Sequence, residues 1–451
     1  MDVRQADKDF IWHPFTQMKE WHKDSAPLIV AAEGHTLIDA DGRRYIDGVS
    51  SLWCAPLGHR HPELDAALTK QLSRFAHSTL LGLASEPAAK LAQKLVSITP
   101  KKLTKVFFSD NGSTAVEVAL KVLFRYFRLT EPQGRRTTFL SFQNGYHGDT
   151  LGAVSVGGIE VFHQDFGPLT FRTLRAPSPY CYHCPLNLKR NTCGLACADK
   201  AAELIEQNAD QLCGVIVEPK VQAAGGMIVQ PDGWLARIAG ACERNGVPLI
   251  ADEVAVGFGR TGRMFACEHD GVEPDAMCLA KALTAGYLPL AATLFTQTVF
   301  NAFVGDYRRT FFHGHTFTGN ALGSAVACAA IDIYTKRGFL ERINRLATLL
   351  SGLLERFRRH PNVGDVRCCG LLAGVELVRD VKTKEPFDQQ QRVGHKITVA
   401  ARKFGIITRP LGDVLVFMPP YVIPEGELER LVDGVWKAMC EVLGTPSVTS
   451  L

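Results

Sequence analysis

The stretch Pro248-Leu249-Ile250-Ala251-Asp252-Glu253 is a short apolar run ending in two carboxylates, and Asp275-Ala276-Met277-Cys278-Leu279-Ala280-Lys281 repeats the pattern and ends in a cation. Short apolar runs bounded in this way read as buried strands. In an open α/β sheet the carboxyl ends of parallel strands line the ligand crevice. Asp252 and Lys281 are therefore expected in one pocket although they lie far apart in the chain. A lysine there can form a Schiff base, and a carboxylate there can hold a pyridine nitrogen protonated. That pairing is what pyridoxal phosphate (PLP) chemistry asks of a protein.

Outward from this pair, further strand-like runs at 105–109, 138–142 and 213–218 alternate with amphipathic helices. The alternation predicts an α/β fold, a mostly parallel central sheet with helices on both faces. Before it, 28–49 reads as β-hairpins around the Asp41-Gly42 turn, with helices at 61–78 and 86–99. After it come a small-residue helix over 319–337 and a compact α+β segment at 370–378, 391–404 and 415–418. The expected division is a large domain over 60–325 and a small α+β domain built from 1–59 and 326–451.

The chain has 451 residues, enough for more than one domain. Its formal charge is only +4, from 50 basic and 46 acidic residues spread along the chain. No basic stripe or like-charge block points to nucleic acid or an interaction tail. No apolar run is long enough to span a membrane, and the polar start Met1-Asp2-Val3-Arg4 does not resemble a signal peptide. Thirteen cysteines, several in apolar elements, fit a reducing compartment. The expectation is a cytoplasmic protein.

Four further segments carry possible chemistry. Ser109-Asp110-Asn111-Gly112-Ser113-Thr114 closes a strand and opens a helix. Its small residues suit a phosphate at the helix start, or an ordinary N-cap. Asn144-Gly145-Tyr146-His147-Gly148-Asp149 follows another strand end. Tyr146 there can cover one face of a flat cofactor or simply pack in the core, and His147 reads as a structural hydrogen-bonding residue. Gly257-Phe258-Gly259-Arg260-Thr261-Gly262 matches G-x-G-x-x-G and raises a rival, a nicotinamide-dependent oxidoreductase. Two carboxylates precede the glycines and no crossover helix follows, so the motif lacks its context. Cys181, Cys184, Cys193 and Cys197 form a close group in a loop. Their spacing allows zinc or an iron–sulfur cluster but matches no standard finger; the reading taken is reduced loop cysteines and no metal.

With these residues assembled, the chain resembles the fold-type I, class III aminotransferases along nearly its whole length. Ile250–Gly262 with Asp252-Glu253, and Ala280-Lys281-Ala282, are general features of that family. It is similar, more narrowly, to the branch that aminates 8-amino-7-oxononanoate in biotin biosynthesis. That likeness is carried by Trp12-His13-Pro14-Phe15-Thr16-Gln17-Met18, Asp47-Gly48-Val49-Ser50-Ser51, Asn144–Thr150 and Phe265-Ala266-Cys267-Glu268-His269. Phe312-His313-Gly314-His315-Thr316-Phe317 and Thr408-Arg409-Pro410-Leu411-Gly412 complete it.

The resemblance implies PLP as cofactor, carried by Lys281, with Asp252 on the pyridine nitrogen and Tyr146 against the ring. It implies that Gly112 and Ser113 hold the phosphate, joined by His315 and Thr316 from the other subunit of a homodimer with its active site at the interface. Trp53 and Gly314 are then expected in the substrate pocket, and Arg409 on the oxo-acid carboxylate, a task that suits its planar fork. The implied donor is S-adenosylmethionine, through a ping-pong mechanism. Two departures bear on that donor: Phe15 stands where the branch has Tyr, and Leu52 where it has Trp. His315 also replaces a usual Pro. Lost hydroxyl and indole groups change what a polar donor can bond, and lysine is the alternative donor. Another ω-aminotransferase would share Lys281 and Asp252 without the segment 13–18.

Overall fold

In the computed structural model, residues 2–446 are described, and a seven-stranded sheet organises them. Its spatial order is Leu103–Ser109, Ala291–Thr296, Ala276–Leu279, Leu249–Asp252, Leu212–Val217, Thr138–Phe142 and Thr173–Ala176. Every neighbouring pair is parallel except those made by Ala291–Thr296, which runs antiparallel to both of its neighbours. The mostly parallel sheet read from the sequence is present. Two of its strands were not foreseen. Thr173-Leu174-Arg175-Ala176 is a short edge strand, and Ala291-Ala292-Thr293-Leu294-Phe295-Thr296 is an unbroken run that periodicity alone cannot orient.

The strands are apolar on both faces because both faces are covered. Leu249 and Met277 enter the larger apolar core, whereas Ile250 and Cys278, their neighbours in sequence, enter a second core on the other side. That second core is built largely by the helix Gly112–Thr130, whose Ala115, Val116, Ala119 and Leu123 form its inward stripe.

The chain ends meet at one side. Strands Ile29–Glu33, Thr36–Asp39 and Arg44–Asp47 form an antiparallel ribbon, and Ile406–Ile407 adds to it in parallel through Ile406 opposite Ile46. A separate antiparallel sheet joins Val363–Cys369, Leu372–Leu377, Val414–Phe417 and Pro410–Leu411. Met1 and 447–451, the outer tips of the expected small domain, lie outside the described residues.

Register positions the site. Asp252 pairs with Cys278, so Lys281 follows its own strand end one turn beyond the carboxylate on the adjacent strand. The strands ending at Ser109, Phe142 and Val217 point the same way and deliver Gly112, Tyr146 and Glu218 to the same edge. Gly257–Gly262 leads to a 3-10 turn, Ala266–Asp270, and not to a crossover helix. Among the described residues no helix is long and apolar enough to cross a membrane.

Candidate active site

A cavity of about 350 Å³ opens at these strand ends. Trp53, Gly112, Ser113, Tyr146, Asp252 and Lys281, all expected in the site, line it, together with His147, Glu218, Cys54 and Asn111.

At one end the long helix begins. Asn111 caps it by accepting from Thr114 N at 3.1 Å, and Thr114 Oγ1 accepts in return from Asn111 N at 3.0 Å. This capping box leaves N–H groups of the first turn directed into the cavity, where an anion gains from them and from the helix dipole. Gly112 is required there: a Cβ would stand 2.7 Å from Val254 Cγ1. Gly148, at φ 121°, lies so close to Ser113 that a Cβ would overlap its Oγ at 2.0 Å. The closeness keeps Ser113 in place, and its Oγ accepts from Asp149 N at 3.2 Å.

Asp252 is buried and held from two sides. Its Oδ2 lies 2.7 Å from His147 Nδ1, and its Oδ1 accepts from Val254 N at 3.1 Å. His147 is equally buried. Its role is the hydrogen-bonding one read from the sequence, but its partner is the key carboxylate, which spacing could not reveal. Glu253, the adjacent residue, faces away from the cavity and accepts from Ala266 N and Cys267 N at 2.9 and 2.8 Å. Burial pushes its carboxyl up to about 7.

Glu218 was missed by the sequence reading. It stands one residue past the strand Leu212–Val217 and accepts from Tyr146 N and Ala223 N, both at 3.0 Å. Burial first, and then the Asp252 charge, push it up to about 7, although the nearby His147 opposes them. The same strand-end logic that singled out Asp252 applies to Val217-Glu218, and it is the signal that could have found it.

Lys281 sits at φ 46°, a strained value for a residue with a side chain, and such strain collects at functional positions. Its Nζ is 4.8 Å from the centre of the Trp53 ring. Enclosure lowers its amine below the usual lysine range, while the Asp252 and Glu218 charges pull the other way. The hydroxyl of Tyr146 donates to Asp149 at 2.6 Å. Its acidity is reduced by burial and by that carboxylate.

Beyond Tyr146 the site opens into a cluster that sequence reasoning saw only in part. Arg409 lies 5.5 Å over the Phe15 ring, and Phe162 packs edge-on between Phe15 at 5.7 Å and Tyr146 at 5.6 Å. Burial lowers the Arg409 guanidinium from its usual value, and the Tyr146 hydroxyl opposes the shift. Phe162 carries no motif, so only packing exposes it. Leu52 is largely exposed beside Trp53. Gly314 and Thr316 lie outside the cavity lining of their own chain, and His315 Nδ1 stands 3.4 Å from Asp110. Cys181, Cys184, Cys193 and Cys197 surround a different, small cavity as free thiols.

The donor set tests the fit to PLP directly. An enclosed amine, a carboxylate fixed at the next strand end, and a helix start that tolerates no Cβ are what an aldehyde, a ring nitrogen and a phosphate each need. Comparison with known proteins agrees. The model of the family "Aminotransferase class-III" matches residues 18–439. An adenosylmethionine-8-amino-7-oxononanoate aminotransferase of Nitratidesulfovibrio vulgaris is 53% identical over 98% of this chain and 82% of its own length. The crystal structure of the Methanocaldococcus jannaschii protein of the same name superposes with TM-score 0.92 at 42% identity, over 98% of this chain and 99% of that one. A PLP-bound amine transaminase from an uncultivated Pseudomonas species superposes equally well, at 0.92 and 35% identity, over 96% and 99%. The strand-end lysine and carboxylate thus stand in a chain that belongs to the class-III aminotransferases and works with pyridoxal phosphate.

Proposed function

We propose that this enzyme converts 8-amino-7-oxononanoate to 7,8-diaminononanoate, the amination step of biotin biosynthesis, with S-adenosylmethionine as amino donor. The observation that carries the reading is the convergence on one cavity of Lys281, the Asp252–His147 pair and the Gly112 helix start, with Arg409 waiting beyond Tyr146. The names of the relatives support the same substrates.

When bound, PLP supplies the electron sink for the pair left on the substrate carbon. The chain's own residues do the rest. Asp252 presents a negative charge to the ring nitrogen, and His147 and Val254 N keep that carboxylate from rotating away. Gly112 and Ser113 would hold the phosphate with first-turn N–H groups and a hydroxyl. Tyr146, in the cavity lining, would lie against one face of the ring. Lys281 Nζ, held below its usual basicity by enclosure, would serve as the general base that takes the proton from the substrate carbon and as the acid that gives it up again. Arg409 binds the oxo-acid carboxylate through its planar fork, with Phe15, Leu52, Trp53 and Gly314 shaping the remaining pocket. Donor and acceptor use one site in turn, which gives ping-pong kinetics.

The same proposal includes a homodimer in which His315 and Thr316 of the partner subunit complete the phosphate site. The exposed Trp12, Leu81, Leu83, Phe312 and Phe317 support an apolar face that a second copy would cover. It also includes the division into a large unit, 60–325, and a small unit from both chain ends, supported by the pairing of Ile406–Ile407 with Arg44–Asp47. A cytoplasmic setting is supported by thirteen cysteines that are all free.

A second donor, lysine, is favoured by Phe15 and Leu52, which replace a hydroxyl and an indole with apolar groups. Mixing the yellow enzyme with either donor alone, and following the visible spectrum, separates the two. Bleaching by S-adenosylmethionine, with diaminononanoate formed once the oxo acid is added, is expected. Bleaching by lysine alone keeps the acceptor and replaces the donor, and bleaching by neither rejects the pathway step.

A further inference from the structure

Four consecutive residues, Ser50, Ser51, Leu52 and Trp53, have φ of 47, 47, 68 and 71°. They close a left-handed turn in which Trp53 N donates to Val49 O at 2.7 Å and Cys54 N to Ser50 O at 3.1 Å. L-residues avoid this winding because Cβ crowds the following carbonyl, and they enter it singly when they enter it at all. None of the four is glycine, so the surrounding fold must hold the turn.

The holding groups can be named. Asp47, wholly buried, accepts from Ser51 N at 2.9 Å and from Ser51 Oγ at 2.7 Å. His59 Nε2 lies 3.0 Å from Asp47 Oδ2, the oxygen that also takes the Ser51 hydroxyl, and braces the same carboxylate. Ser50 Oγ donates to Met418 O at 2.7 Å, anchoring the start of the turn to the C-terminal part of the chain. Two hydrogen bonds to one buried carboxylate, both charge-assisted, make Asp47 the main clamp.

The turn carries what stands over the cofactor lysine. Trp53 places its ring centre 4.8 Å from Lys281 Nζ, and its buried Nε1 has no hydrogen-bond partner within the chain. Cys54, the next residue, lines the same cavity. A right-handed turn through these residues would send the side chains round in the opposite sense and lift the indole away from Lys281.

We infer that Asp47 is a positioning residue that holds the left-handed turn Ser50–Trp53, setting the Trp53 indole over Lys281 and so governing how tightly the amino donor is held there. The inference rests on the pathway reading above and deepens it.

Asp47→Ala should lower kcat/KM for the amino donor at least thirtyfold, chiefly through KM, while bound cofactor keeps its visible absorbance. Glycine adopts the left-handed turn without strain, so Asp47→Ala/Ser51→Gly should regain at least fivefold. Apart from turnover, hydrogen exchange over residues 48–56 of the cofactor-free protein should quicken in the single variant and slow again in the double one. If the alanine variant does not fold, Asp47→Asn, which keeps one acceptor for Ser51 but loses the charge, should still lower donor kcat/KM at least fivefold through KM, with the same relief by Ser51→Gly. Donor kcat/KM within threefold of wild type, or a loss that Ser51→Gly does not relieve, overturns the inference. Wild-type enzyme that responds to neither donor fails the pathway reading instead, and the two failures are distinct.

Discussion

The floor of the Lys281 cavity and its mouth are made of different material. The floor consists of Gly112, Glu218, Asp252 and Lys281, each at or just beyond a strand end, with both carboxylates held by backbone or buried side-chain partners. The mouth consists of Phe15, Leu52 and Arg409, which come from the two ends of the chain; Phe15 is 57% and Leu52 48% exposed. A sheet fixes its strand ends to within the precision of its hydrogen-bond register, so the floor suits chemistry that tolerates no displacement. Loops and terminal segments tolerate substitution, so the mouth suits selection between substrates. On this division the floor is expected to set reaction type and the mouth to set partner.

The sharpest attack on the division is at the floor. Lys281→Ala is expected to lower transamination by at least about 10⁴-fold with little change in fold, read by single-turnover kinetics and by loss of the visible absorbance. A mutant with near-normal turnover would remove Lys281 from its role.

Glu253, behind the floor and turned away from the cavity, tests whether the packing under that edge is maintained against an electrostatic cost. Its folded pKa is about 7, raised from 4.5 by burial, so the folded protein binds more protons than the unfolded chain between those values. Stability should therefore fall as pH rises from 4.5 through 7, by on the order of 3 kcal/mol from this residue alone. Glu253→Gln should flatten that part of the denaturation profile, while weakening the bonds to Ala266 N and Cys267 N at all pH values. A profile unchanged by the substitution would show that the carboxyl is not buried as described.

Changes at the mouth should be smaller and confined to substrate terms. Arg409→Ala is expected to raise KM for the oxo acid about 10- to 100-fold, the size of one charge-assisted contact, and to leave the donor half-reaction nearly intact. Equal losses in both half-reactions would place Arg409 at the floor. Phe15→Tyr, which returns a hydroxyl beside Arg409 and Phe162, should shift the ratio of S-adenosylmethionine to lysine use by less than about tenfold. Competition assays with both donors present measure that ratio directly.

The local sequence determined the floor almost completely. Apolar runs of strand length that end in Asp252 and Lys281 announce both the parallel sheet and its ligand edge, because side-chain burial and strand direction follow from pattern and connection rules. Glu218 obeyed the same rule and was readable in principle. The family resemblance brought Phe15, Trp53 and Arg409 into view as residues, but not their arrangement. Only the tertiary structure decided that Asp252 is braced by His147 while Glu253 turns away, since neighbours in sequence on a strand face opposite sides and their partners come from distant loops. It alone placed Phe162 between Phe15 and Tyr146. It alone wound Ser50–Trp53 to the left, because no propensity in those four residues favours that hand. The reason lies in Asp47, His59 and Met418, which the rest of the fold brings around the turn.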